Sequence, residues 1–295
     1  MEREPRIALT FDVEEHYRIE AAAHLECPPD LRVVYGQRMD GTTRWLLDAL
    51  ARRQAKATFF VVGQIAQTHP SLIRRMVDEG HEVAGHSWDH RPIYKFTPES
   101  FREDLRIGKD ALEQASGAPV VGFRAPTFSV IRETAWALDA LAEAGLRYDS
   151  SIFPVRHDRY GVPAAPRIPF LARGVDREML ELPPLTLRML GQNLPVAGGG
   201  YFRLFPTWLM TRGIGQMTQM DQPAVLYFHP WEFDPDQPKL ALAAMSRFRT
   251  YVGIKRSQRK LKRVMKRYRF SRCIDLVTEL ESKSPALPRF ALSSA

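Results

Sequence analysis

Two histidines stand four residues apart in Gly85-His86-Ser87-Trp88-Asp89-His90. Imidazoles at that spacing can share one side of a helical turn and hold one divalent ion, with ligand distances of about 2.0–2.1 Å for zinc. Ser87 stands where a HExxH metalloprotease has glutamate, so a third ligand and a base must come from elsewhere in the chain. Asp12 and Glu14, in Thr10-Phe11-Asp12-Val13-Glu14, supply an acidic pair at the end of an apolar run. Metal-assisted hydrolysis uses such a pair, one carboxylate binding the ion and the other taking a proton from water. Arg124, in Phe123-Arg124-Ala125-Pro126, offers a guanidinium that can keep the base ionised and oriented. His229, in Tyr227-Phe228-His229-Pro230-Trp231, ends another apolar run, and an imidazole can protonate a leaving amine near neutral pH. The chemistry these residues share is metal-assisted hydrolysis.

They can act together only if the fold gathers them. Short apolar runs at 6–12, 56–62, 81–86, 120–124 and 146–149 read as strands. Between them, 43–53, 69–79, 98–116 and 132–144 read as helices, the last three stopping on Gly80, Gly117 and Gly145. Alternating strands and helices imply a parallel sheet covered by helices. Asp12, His86, Arg124, Asp149 and His229 fall at the carboxyl ends of the expected strands, and a barrel brings such ends to one face. Residues 150–205, with Pro183-Pro184 and Gly198-Gly199-Gly200, read as long ordered loops with short strands, and 282–295 as a frayed tail.

The net charge of +8 over 295 residues is local in origin. Residues 246–272 hold 12 Lys and Arg and no acid, leaving 30 basic and 34 acidic residues elsewhere. Leu261, Val264, Met265 and Tyr268 recur there at the spacing of one apolar helix stripe. The segment reads either as a helix docked on the body with a solvated outer face or as a basic amphipathic helix that touches an anionic membrane. No nucleic-acid recognition module accompanies it. The N-terminal residues resemble no secretory signal, no apolar run reaches the length of a membrane span, and Cys27 and Cys273 form no CxxC pair. The expectation is a cytoplasmic protein, peripheral at most to the inner membrane face.

In order along the chain, TFDVE, GHSWDH, GFRAP, Tyr148-Asp149-Ser150 and LYFHP resemble the successive motifs of the NodB-type polysaccharide deacetylases, a carbohydrate esterase family. GGGYFRLFPTWL (198–209) and LYFHPWEFDPDQP (226–238) further resemble the variant associated with exosortase-linked exopolysaccharide loci, which has its own C-terminal extension. The resemblance implies a distorted (β/α) barrel of about seven strands over 1–235, followed by an irregular extension over 236–295. It also implies one divalent metal ion, usually zinc, and removal of acetyl groups from N-acetylhexosamine units of a polymer or oligosaccharide. By motif position His86 and His90 would be metal ligands, Asp12 the base, Arg124 its partner, His229 the general acid and Asp149 a group that tunes His229. The usual second aspartate of the first motif is Val13 here, which cannot bind metal. Some relatives use Asp-x-Asp, making Glu14 the ligand; if Glu14 points away, Asp12 must coordinate instead. The same barrel hosts cyclic amide and ureide hydrolases, and a catalytically silent sugar-binding scaffold is the reading from another class.

Overall fold

The run Ile7–Val13 is buried along its whole length, as a strand covered on both faces must be. Its odd positions Ile7, Leu9, Phe11 and Val13 join the large core beneath the helices, while Ala8 joins a second core inside the sheet. Thr10, Asp12 and Glu14 continue the face of Ala8, because strand side chains alternate with a period of two. A computed structural model of the chain describes residues 4–282 and 286–292. Of the expected frayed tail, 283–285 and 293–295 lie outside the described residues, as do residues 1–3.

The strands are β1 (Ile7–Val13), β2 (Thr58–Val61), β3 (Glu82–Gly85), β4 (Gly122–Phe123), β5 (Tyr148–Asp149) and β6 (Phe170–Arg173). They continue with β7 (Glu178–Glu181), β8 (Thr186–Met189), β9 (Gln192–Pro195), β10 (Ala224–Phe228) and β11 (Arg289–Ala291). The order β10-β1-β2-β3-β4-β5-β7 is parallel throughout, giving the seven-stranded wall. Beyond β7 the chain turns back toward β10, where the Leu185 N–H donates to the Val225 carbonyl at 2.9 Å and draws the two edges together. β6 runs antiparallel to β7 and carries β11 on its far side, so part of the expected tail is an edge strand. β8 and β9 form a separate hairpin.

The helices are α1 (Pro29–Ala51), α2 (Gly63–Thr68), α3 (Pro70–Asp78), α4 (Pro98–Ser116) and α5 (Trp136–Glu143). They continue with α6 (Gly199–Leu204), α7 (Thr207–Gln219), α8 (Ala244–Tyr251), α9 (Ile254–Arg267) and α10 (Cys273–Glu281). α1 starts well before the expected residue 43, because Pro29 opens it and Tyr35 and Met39 extend its buried stripe. The glycines at 198–200, read as loop, begin α6. A Cβ on Gly198 would sit 1.5 Å from the Tyr227 carbonyl oxygen, so only glycine permits this close passage beside β10. The basic segment divides at Gly253 (φ 74°) into α8 and α9. From α10, Cys273, Leu276, Val277 and Leu280 join the core inside the sheet with Ala8, Phe60, Tyr148 and Val225, and close the barrel floor. Cys27 and Cys273 are both free thiols. Among the described residues no helix is long and apolar enough to cross a membrane.

Candidate active site and metal centre

The barrel interior is organised around Arg124, which is fully buried one residue past β4. Its Nη1 donates to Asp12 Oδ1 and Thr10 Oγ1, both at 2.7 Å; Nη2 donates to Ser150 Oγ at 2.7 Å and Nε to the Ser150 carbonyl at 3.0 Å. The guanidinium lies 4.1 Å from the Phe60 ring centroid, a cation–π contact within the dry interior. These contacts hold Asp12 by one oxygen. Its other oxygen, Oδ2, faces His229 Nε2 at 3.8 Å.

Glu14, His86 and His90 bring one ligand atom each within 4.8 Å of one another. Glu14 points inward with Asp12, and Val13 points out into the helix-covered core. His86 and His90 are not on a helical turn. They sit in the loop after β3, where Ser87 (φ 64°) and His90 (φ 67°) are left-handed and turn both rings back over the barrel. Asp104 fastens that loop from α4, accepting from the Trp88 N–H at 3.0 Å.

The donor set suits a divalent transition metal. His86 Nδ1 donates to the Arg124 carbonyl at 2.6 Å, which sets the tautomer and leaves Nε2 with its lone pair. Glu14 Oε2 is buried without a hydrogen-bond donor and lies against His90 Nε2. Glu14 Oε1 accepts from Trp231 Nε1 at 3.0 Å. Burial would push the Glu14 carboxyl up, but His90, His229 and His86 hold it well below the usual carboxylate range. Burial lowers the His86 imidazole to about 4, keeping it neutral as a ligand must be.

His229 follows β10 at the opening, with its side chain 18% exposed. Its Nδ1 donates to Glu232 Oε1 at 2.8 Å, and Nε2 points at Asp12 Oδ2 and Glu14 Oε1, both 3.8 Å away. Burial opposes its charge, but Glu232, Glu14 and Asp12 outweigh that and push the imidazole up to about 9. Glu232 is itself fully buried and accepts from Arg203 Nε at 2.8 Å. One 3-10 turn, Pro230–Phe233, thus places His229, the Trp231 donor to Glu14 and the Glu232 acceptor.

Asp149 is not the group that tunes His229. Its Cα pairs with Glu181 across β5 and β7, away from β10, and its Oδ1 accepts from Ser151 Oγ at 2.5 Å. Sequence reading missed Glu232, Glu181, Arg203 and His16. Glu232 lies three residues after His229, the spacing of a turn's two ends; the others carry no comparable local signal. His16 is buried and stacks on Trp231, which also stacks on His229, with ring centroids at 4.9 and 5.2 Å.

Asp149 and Glu181 are buried carboxyls side by side; burial raises both, and the Asp149 charge raises Glu181 further, well above the usual range. The pair therefore keeps a proton in the folded state. Folded values above unfolded ones mean that stability falls as the pH rises from about 4 through neutrality. Glu181→Gln keeps an acceptor for the Ile152 N–H and removes the repulsion. Its melting temperature should exceed the parent's by more at pH 8 than at pH 5, measured by thermal denaturation. An equal difference at the two pH values would show that no proton is shared.

The polysaccharide deacetylase model matches residues 2–148, and a domain of unknown function (DUF3473) matches 150–278, covering both segments on which the C-terminal resemblance rests. The chain is 37% identical over 94 residues to the peptidoglycan-N-acetylglucosamine deacetylase of Listeria monocytogenes, a match spanning 32% of this chain and 20% of that protein. It is 33% identical over 129 residues to the chitooligosaccharide deacetylase of Rhizobium leguminosarum bv. trifolii, spanning 41% of this chain and 57% of that one. A crystal structure of a candidate polysaccharide deacetylase from Mycobacterium smegmatis superposes with a TM-score of 0.67 at 21% identity, covering 100% of this chain and 96% of the other. The fold is thus shared along the whole chain, and the distorted barrel is the one expected. Residues 2–148 belong to the polysaccharide deacetylase family, and they are joined here to a DUF3473 segment that completes the barrel and supplies His229 and Glu232.

Proposed function

We propose that this chain hydrolyses N-acetyl groups on hexosamine units of a polysaccharide or its precursor, using one divalent ion, in the making of an exopolysaccharide. The observation that carries the reading is the convergence of Asp12 Oδ2, Glu14 Oε1 and His229 Nε2 beside the Glu14, His86 and His90 cluster. A divalent ion held by Glu14, His86 and His90 would supply Lewis acidity at that corner of the site. Asp12, anchored through Oδ1, offers Oδ2 to take a proton from the attacking water. His229, charged at neutral pH, offers Nε2–H to the nitrogen as the carbon–nitrogen bond breaks, because an amide anion is too poor a leaving group to depart unprotonated. Arg203 and Glu232 keep that ring turned toward the site. The products are acetate and a free amine.

His86→Ala should abolish both metal retention and acetate release from N-acetylglucosamine oligomers, while the melting profile shows that the barrel still folds. Metal analysis and acetate assays on the same samples provide the check. Full metal content in the variant would overturn the ligand assignment. Metal-loaded parent protein that releases no acetate from these oligomers or from peptidoglycan fragments would replace the hydrolase by a sugar-binding scaffold.

A further inference from the structure

We infer that the outward face of α9, continued by the end of α1 and assisted by the exposed apolar side chains of the preceding α8, docks on an anionic phospholipid bilayer. α9 buries Ile254, Ser257, Leu261, Val264 and Met265 against the body of the protein. Seven of its Lys and Arg, from Lys255 to Arg267, face outward and are exposed. Several arginines elsewhere are neutralised: Arg18, Arg38, Arg44, Arg75 and Arg203 each hold a carboxylate within 2.9 Å. Among the described residues, none of the seven on α9 has a carboxylate within 4.0 Å. Seven cations on one helix, with no acid among them, leave this face unneutralised.

The face does not end with the helix. Lys262 and Met265 line a groove of about 350 Å³ with Ala49, Arg52 and Arg53 at the end of α1. Arg52 and Arg53 are exposed and likewise hold no acid among the described residues, so the groove has cationic walls and an apolar floor. Lys260 is the exception on α9. It turns inward, and its Nζ donates to the carbonyls of Phe202, Arg203 and Phe205 at the end of α6. It belongs to the fold, not to the docking face.

Charge alone would suit any polyanion. α8, joined to α9 through Val252 and Gly253, favours a bilayer, because Met245 (63% exposed) and Phe248 (55% exposed) stand out from it one turn apart, flanked by Arg247 and Arg249. An acidic glycan or a nucleic acid backbone would leave these side chains in water, whereas the boundary between headgroups and acyl chains buries them. Each Lys or Arg near an anionic bilayer adds to the attraction, which is screened beyond about 10 Å at 0.1 M salt.

The test is co-sedimentation of the full chain with vesicles of phosphatidylcholine alone or mixed with phosphatidylglycerol. Binding is expected to the mixed vesicles only, declining as salt rises from about 0.05 to 0.3 M. Replacing Arg259, Arg263, Lys266 and Arg267 together by Gln should weaken it by at least about 100-fold. Met245→Ser with Phe248→Ser should weaken it by roughly tenfold at unchanged charge. Melting temperatures equal to the parent's would show that both variants fold. Equal binding of the four-fold Gln variant and the parent would overturn the inference. So would binding to soluble heparin without binding to anionic vesicles, which would assign the face to an acidic polymer.

Discussion

Asp12→Asn is expected to lower the turnover number for acetate release by about 10²–10⁴-fold, the worth of a positioned general base, while the divalent ion stays bound. Asn can still accept from Arg124 through its carbonyl oxygen, so the local hydrogen bonds survive in number. What is lost is the oxygen that takes the proton. The variant also leaves a buried guanidinium without its counter-charge, which should cost about 3–5 kcal/mol of stability and register as a lower melting temperature. Glu14→Gln should behave in the opposite way, losing the ion first and activity with it. Metal content therefore separates the two carboxylates where activity alone cannot. If Asp12→Asn loses the ion and Glu14→Gln keeps it, their roles are exchanged.

His229→Ala should lose turnover on the same scale, again with metal retained, because the leaving nitrogen then has no placed donor. Glu232→Gln is the finer probe. The carboxylate raises the His229 imidazole, and an acid catalyst works only below its own pKa. Removing the Glu232 charge should therefore move the alkaline limb of the pH profile of kcat to lower pH, from near 9 toward the ordinary imidazole range. Turnover at pH 6 should suffer less than turnover at pH 8. A limb that does not move would remove His229 from the acid role or Glu232 from its side.

Much of this was legible in the residues themselves, for identifiable reasons. Asp12 and Glu14 sit two apart on a strand, so one period carries both to the interior and sends Val13 outward. Gly80, Gly117 and Gly145 all take left-handed backbone beyond helices, as their positions imply. The histidine pair was legible as two imidazoles that converge but not as a loop, because spacing is blind to the left-handed backbone at Ser87 and His90. Asp149 was placed beside His229 by motif position, yet strand order sets it against Glu181. The acid that does reach His229 was three residues away in sequence. Arg203, which holds that acid, comes from the glycine-rich segment whose loop-like composition hid a short helix.

The pairing of β1 with β10 has a consequence for synthesis. Glu14, His86 and His90 leave the ribosome early, but β1 keeps one edge open until residue 228 is made. At about 5–20 residues per second, that interval is roughly 10–40 s. Through it, the nascent chain can bring Glu14, His86 and His90 together while the strand bearing Asp12 and Glu14 shows unpaired backbone to its surroundings. An open apolar edge is a template for pairing with another chain. Messages truncated before β10 should accordingly yield aggregation-prone fragments, and the burden on cellular chaperones should fall abruptly once the last parallel strand closes the wall.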